Sequence, residues 1–261
     1  MKNTLSKSLL SVDIGNSAVS CALFRGSRLI KRFDIPTRSK TGALRACLRK
    51  NIRACPLDSA IIASVVPSAV APLKKALASL TGRAPLVLGK DLRVPIKNRY
   101  RKPASVGQDR LVNAYAALKL YKAPAIIVDA GTALTFDVVS RRNDYLGGMI
   151  IPGFEVSLQA LFERTALLPR VRLQEAKAFI GRDTKGSILS GLLWGYSLLT
   201  ESMIAKIKKE IGREAVVIGT GGCIDFIARR TKAFDHVDRS FTLKGLNLLH
   251  RIYLTGALDK V

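Results

Sequence analysis

The stretch VDAGTALTFDVV, Val128–Val139, breaks an apolar strand at Asp129-Ala130-Gly131-Thr132 and then resumes it at once. A second stretch near the N-terminus, SVDIGNSAVSCALF (Ser11–Phe24), has the same build, with Asp13 two residues before Gly15 as Asp129 is two before Gly131. Glycine allows a tight turn and leaves no side chain in the way of a ligand. Successive N–H groups in such a turn can point together and hold an anion. Asn16, Ser17 and Thr132 add side-chain donors just past each glycine. An aspartate there would repel a bare phosphate, but it becomes useful with a cation between them, and Mg²⁺ favours a few carboxylates plus water and phosphate oxygens. Either turn alone reads equally as an ordinary β-hairpin; two copies at matching places point to a phosphate-binding repeat.

Working outward, the chain reads as two similar halves. LLSVDI, SAVSCALF and RLIKRFDI are strands, TGALRACLRKNIR is a helix by its 3.6-residue apolar spacing, and SAIIASVV is a buried strand ended by Pro67. VAPLKKALASLT is a helix stopped at Gly82, and LVLG is a strand. A charged loop, KNRYRKPASVGQDR, leads into the helix RLVNAYAALKLY. The pattern then restarts: strands APAIIVDA, ALTFDVVS and YLGGMIIPG, the helix EVSLQALFERTA, the long apolar helix SILSGLLWGYSLLTESMIAKIKKEIG, and the strand AVVIGTGG. The two Asp-x-Gly turns lie 116 positions apart (129 − 13), about the size of a small α/β domain. The expectation is an α/β duplication, two lobes facing a cleft, residues 1–122 and 123–261.

Composition narrows the chemistry. The chain has 261 residues and is 48% apolar, enough for a real core. Cys21, Cys47, Cys55 and Cys223 form no C-x-x-C pair, and His236 and His250 lie outside any motif, so neither a zinc site nor a His-based triad is expected and the thiols read as reduced. The N-terminal apolar run is too short for a secretory signal, and IIASVVPSAVAPL is broken by two prolines, so the expectation is a soluble, cytoplasmic protein without a membrane span. The net charge of +24 crowds basic residues between Arg25 and Arg53, with Asp34 the only acid among them. A solvated basic surface is the favoured reading. Nucleic acid is the competing one, against which stand the scatter of the charges, the scarcity of aromatics and the lack of a recognisable nucleic-acid-binding motif.

In family order, DIGNS, YRKPASVGQDR, DAGTA, GGMIIPG, DTKGSILSG and TGG make the chain resemble a type III pantothenate kinase, of the acetate kinase, sugar kinase, heat-shock 70 and actin superfamily. The resemblance runs from about Leu10 to the end; Ser17 stands where threonine is usual. It implies two ribonuclease H-like lobes, an actin-like ATPase duplication. It also implies ATP-dependent phosphorylation of pantothenate to 4'-phosphopantothenate, the first step of coenzyme A synthesis.

The resemblance also assigns roles. Asp109 is the base for the pantothenate hydroxyl. Tyr100, Gly107, Gln108, Arg110 and Thr184 contact pantothenate, Thr184 reaching in from the neighbouring subunit of a homodimer whose active site lies at the interface. Gly15, Asn16, Ser17, Gly131 and Thr132 cradle the ATP phosphates, and Gly221 and Gly222 let the adenine lie against backbone. Asp13 anchors Mg²⁺ through water, and Asp129 matches the position that holds a monovalent cation, K⁺ or NH₄⁺. The long helix, apolar on more than one face, suits a dimer interface. Two alternatives stay open: a non-catalytic nucleic-acid-binding regulator on the same fold, and a related kinase for another small alcohol or acid.

Overall fold

The first Asp-x-Gly stretch is the tip of a β-hairpin. The computed structural model describes residues 8–52 and 56–256, so Cys55 and Arg53 lie outside the described residues. β1 (Ser8–Ile14) pairs antiparallel with β2 (Ala18–Arg25), and β2 with β3 (Arg28–Pro36). After α1 (Thr41–Ile52), β4 (Ser59–Ser64) returns parallel to β1, and α2 (Pro67–Thr81) leads to the two-residue β5 (Leu86–Val87), parallel to β4. The sheet order is β3-β2-β1-β4-β5. The pleat sends successive side chains to opposite faces. Leu10, Val12 and Ile14 enter a core with Leu44 and Leu48 of α1 and Leu73 and Leu77 of α2; Asp13 therefore belongs to the other face.

After β6 (Lys97–Asn98) and α3 (Gln108–Leu120), the second stretch repeats this plan. β7 (Ala125–Ala130), β8 (Ala133–Val139) and β9 (Asp144–Pro152) form an antiparallel meander. Past α4 (Phe154–Arg164) and α5 (Thr184–Ile211), β10 (Val216–Thr220) pairs parallel to β7. α6 (Ile224–Ala228) then leads to the two-residue β11 (His236–Val237), parallel to β10. The order β11-β10-β7-β8-β9 matches the first sheet strand for strand, with β6 added beside β9. Even the register shift recurs at the equivalent place, Leu23/Phe24 in the first meander and Val138/Val139 in the second. The turns differ by one residue: Gly15-Asn16-Ser17 joins β1 to β2, whereas Gly131-Thr132 joins β7 to β8.

By packing, the chain forms two units. Among the described residues, unit 1 holds those up to Ile96, Lys102–Ala116 and those from Ser240; unit 2 holds Lys97–Arg101 and Ala117–Arg239. In unit 1, α7 (Phe241–Leu254), to which the sequence reading assigned nothing, packs on β1, β2 and β4 and buries Phe241, Leu243, Leu246 and Leu249. In unit 2, α5 sends Leu193, Ile204 and Ile207 into the core under β7, β8 and β10. Two helices begin three residues earlier than the apolar spacing predicts. α2 starts at Pro67, not Val70, because proline fits the first helical position, whose N–H needs no partner. α5 starts at Thr184, not Ser187, because the Asp183 carboxylate accepts the Gly186 N–H at 2.7 Å and caps the helix.

Candidate functional site

In unit 1 the predicted residues gather at the C-terminal ends of β1 and β4. The Gly15 N–H donates to the Ala18 carbonyl at 3.0 Å and closes the hairpin tip. Two bonds from the β3–α1 loop brace it: Thr37 Oγ1 donates to the Gly15 carbonyl at 2.7 Å, and the Thr37 N–H to the Ser17 carbonyl at 3.1 Å. Asn16 and Ser17 are exposed at the tip, and Asp13 is half-buried behind it. The Val65 N–H donates to the Ile14 carbonyl at 3.1 Å, tying the end of β4 to the end of β1.

Val65 also leads to the second group. A Cβ built on Gly107 would lie 3.5 Å from Val65 Cγ1 and would collide with Asp109 Oδ1. Glycine at 107 is thus what leaves room for the Asp109 carboxylate, which stands in the first turn of α3. Gln108 packs its side chain against Gly89. Asp109 Oδ1 is shielded from solvent and accepts no hydrogen bond from the described residues. Burial pushes the Asp109 carboxyl above its ordinary value, outweighing the Arg110 backbone N–H and guanidinium, which pull it down. Arg110 itself is buried. An acid with one oxygen hidden and without a hydrogen bond from the described residues, at a helix start, is equipped to take a proton from a bound hydroxyl.

In unit 2 the remaining residues gather at the matching place, the ends of β7 and β10. The Gly131 N–H donates to the Ala133 carbonyl at 2.9 Å. Gly153, after β9, donates its N–H to the Thr132 carbonyl at 2.9 Å, and a Cβ there would run into the Gly131 and Thr132 carbonyls. Gly221, with φ +94°, lies so close to Asp129 that a Cβ would strike its Oδ1 and the Ala130 backbone. The Cys223 N–H donates to the Ala130 carbonyl at 2.9 Å. The Asp129 carboxylate, the Gly131-Thr132 turn and the Gly221-Gly222 turn therefore form one cluster. Arg239 closes it, donating Nη2 to the Gly222 carbonyl at 2.6 Å with its Nε 3.4 Å from Asp225.

Tyr100 belongs to unit 2 by packing. Arg99 pairs with Asp144 at 2.7 Å and holds β6 on β9, and the Tyr100 ring lies against Gly147. Thr184 is exposed at the start of α5. Gly153 and Arg239 were missed among the predicted site residues. GGMIIPG carried a signal for the first, whereas Arg239 lies 17 positions from the turn that it holds, in no motif.

Neither glycine turn sits in an all-protein cation cage: among the described residues no group of three or more His, Cys, Asp or Glu is placed to hold a metal. One aspartate beside each glycine turn suits a cation whose other ligands are phosphate oxygens and water. Burial raises the thiols of Cys21 and Cys223, which does not suit them to act as nucleophiles.

A sequence profile of the type III pantothenate kinase family matches residues 9–206. A type III pantothenate kinase from Finegoldia magna is 37% identical over 252 residues, which span 93% of this chain and 96% of that one. A solved Campylobacter jejuni structure, assigned to the Baf family of transcriptional activators, is 19% identical with a TM-score of 0.58, over 95% of this chain and 100% of that one. A ROK-family protein from Streptococcus pneumoniae, solved with sucrose, is 13% identical with a TM-score of 0.50, over 96% and 99%. These two structures share the fold.

Proposed function

The chain belongs to the type III pantothenate kinase family, and on that premise we propose a division of labour among its site residues. The enzyme transfers the γ-phosphoryl group of ATP to pantothenate, the first step towards coenzyme A. Such transfer depends on positioning and charge stabilisation more than on covalent work by the protein.

Asp109 accepts the proton of the pantothenate hydroxyl. The observation that supports this is its buried Oδ1, in the space left by Gly107 and without a hydrogen bond from the described residues. Arg110 beside it offers a guanidinium fork to the pantothenate carboxylate or amide, Gln108 lines the same loop, and Tyr100 supplies a flat wall. In unit 1, Gly15, Asn16 and Ser17 offer donors suited to ATP phosphate oxygens; in unit 2, Gly131 and Thr132 offer the same. Gly221 and Gly222 leave backbone open for the adenosine. Asp13 would hold Mg²⁺ through water, and Asp129 a monovalent cation, K⁺ or NH₄⁺. When bound, Mg²⁺ draws charge from the phosphate oxygens. That Asp129 is packed against Gly221 and next to Gly131 supports its place beside the nucleotide.

The enzyme works as a homodimer, with Thr184 delivered to the partner's substrate. Exposed apolar residues on unit 2 support this: Ile150, Phe162, Leu167 at 91% exposure, Phe179, Ile180 and Leu198. α5 is long and apolar enough to cross a membrane by length and composition, with 33% of its apolar window buried. A second subunit over its outer face accounts for that surface in a cytoplasmic enzyme. The test is ATP-dependent turnover of pantothenate by the native enzyme and by Asp109→Asn, with the fold checked by circular dichroism. Turnover lost in a folded variant supports the assignment. Undiminished turnover sinks the role of Asp109, and turnover only with another acceptor sinks the substrate.

A further inference from the structure

A pocket of about 450 Å³ opens on unit 1 beside the Gly15–Ser17 turn, within the size range of small-molecule sites. Its floor is apolar: Val19, Leu44 and Leu73 are almost fully buried there. Its rim carries Asn16, Thr37, Arg38, Ser39 and Ser68, and among the described residues no acid lines it. The side chains of Arg38, Ser39 and Ser68 have no hydrogen-bond or ion-pair partner among the described residues. Ser68 and Ala69 are in the first turn of α2, where no side chain caps the helix, and the positive end of its dipole adds to the charge of Arg38.

The pocket is separate from the side of the sheet that carries Asp13. Leu44 and Leu73 belong to the core packed on Leu10, Val12 and Ile14, and Asp13, between Val12 and Ile14, has the opposite pleat. It is nonetheless joined to the phosphate turn. Thr37 in its wall holds the Gly15 and Ser17 carbonyls, at 2.7 and 3.1 Å.

We propose that this pocket is an accessory site for a small organic anion. A phosphate or carboxylate head sits against Arg38, Ser39 and Ser68, and a short apolar stem lies on Leu44 and Leu73. Occupancy steadies Thr37 and, through it, the Gly15–Ser17 turn. The steadying rests on the kinase reading; the binding does not.

The experiment follows backbone amide resonances of the full chain during titration with butyl phosphate, pentanoate and inorganic phosphate. Saturable shifts at Ser39, Ser68 and Ala69 are expected, with butyl phosphate binding about three-fold or more tighter than inorganic phosphate because its stem is buried. Arg38→Glu weakens binding roughly ten-fold by reversing the rim charge, and Ala69→Leu blocks the stem. Pentanoate matching butyl phosphate would support the site and mark its head specificity as carboxylate as well as phosphate. A non-hydrolysable ATP analogue leaves the shifts in place. The proposal is overturned by no saturable shift at these amides, by shifts that the analogue abolishes, or by both variants binding as the native chain does. A kinase assay at saturating butyl phosphate reads the second half separately: a lower KM for ATP supports the steadying of the turn, and an unchanged one removes it while the titration still decides the binding.

Discussion

Asp109→Asn should make the enzyme catalytically poor and more stable at once. Loss of a positioned base costs about 10²–10⁴-fold in kcat. The stability gain follows from the site itself. Asp109 Oδ1 is buried without a hydrogen bond among the described residues, and burial raises the carboxyl above its unfolded value despite Arg110. A raised acid penalises the fold. The unfolded chain ionises first as pH rises through about 3.9, and the penalty is complete above the folded value. The Asn amide keeps a polar atom in the same buried place, so only the ionisation penalty is relieved; each tenfold change in proton affinity between unfolded and folded chain costs about 1.4 kcal/mol above both values. An amide cannot ionise, so the variant should be the more stable at pH 7.5, and every ~1 kcal/mol gained raises Tm by roughly 2–4 °C for a chain of this size. Urea unfolding at pH 7.5 and at pH 5 measures it, with kcat and the ATP KM taken on the same samples. The gain should shrink as pH falls towards the unfolded value, and the ATP KM should hold. A variant less stable than the native enzyme at pH 7.5, or one whose gain grows on acidification, would refute the reasoning about burial whatever happened to kcat.

Gly153→Ala places a methyl against the Gly131 and Thr132 carbonyls; steady-state kinetics should show kcat/KM for ATP falling about 10²-fold, as for a misplaced reacting group, and unchanged kinetics would mean that the turn does not depend on Gly153. Arg239→Ala removes the bond to the Gly222 carbonyl and should raise the ATP KM about five-fold, the equivalent of ~1 kcal/mol, with kcat nearly unchanged; a kcat loss alone would contradict it. Leu198→Glu puts a charge on the exposed face of α5. Light scattering should then show monomers and the assay a parallel loss of turnover, and fully active monomers would disprove the shared site.

Much of the proposed site could be read as a candidate from sequence because a phosphate-binding turn needs only short, contiguous sequence. Asp13-x-Gly15 and Asp129-x-Gly131 each needed only one strand end and one glycine, so the repeat announced itself, and the strand order bore it out. GQDR was legible for a similar reason: Gly107 and Asp109 are two positions apart, and one makes room for the other. Arg239 and Thr37 were not legible. Each holds a turn through a backbone carbonyl distant in sequence, and a carbonyl has no residue identity to leave a pattern.

From the sequence alone came the two strand–turn–strand cassettes, the carboxylates at their ends and the family motifs in order, because these are set by local backbone geometry and by alternation along a strand. The tertiary structure alone decided that α7 packs on the first sheet, that Lys97–Arg101 joins the second, and that Asp109 holds one oxygen away from water without a partner among the described residues. Burial and long-range pairing depend on which surfaces meet in space, and adjacency along a chain does not carry that information.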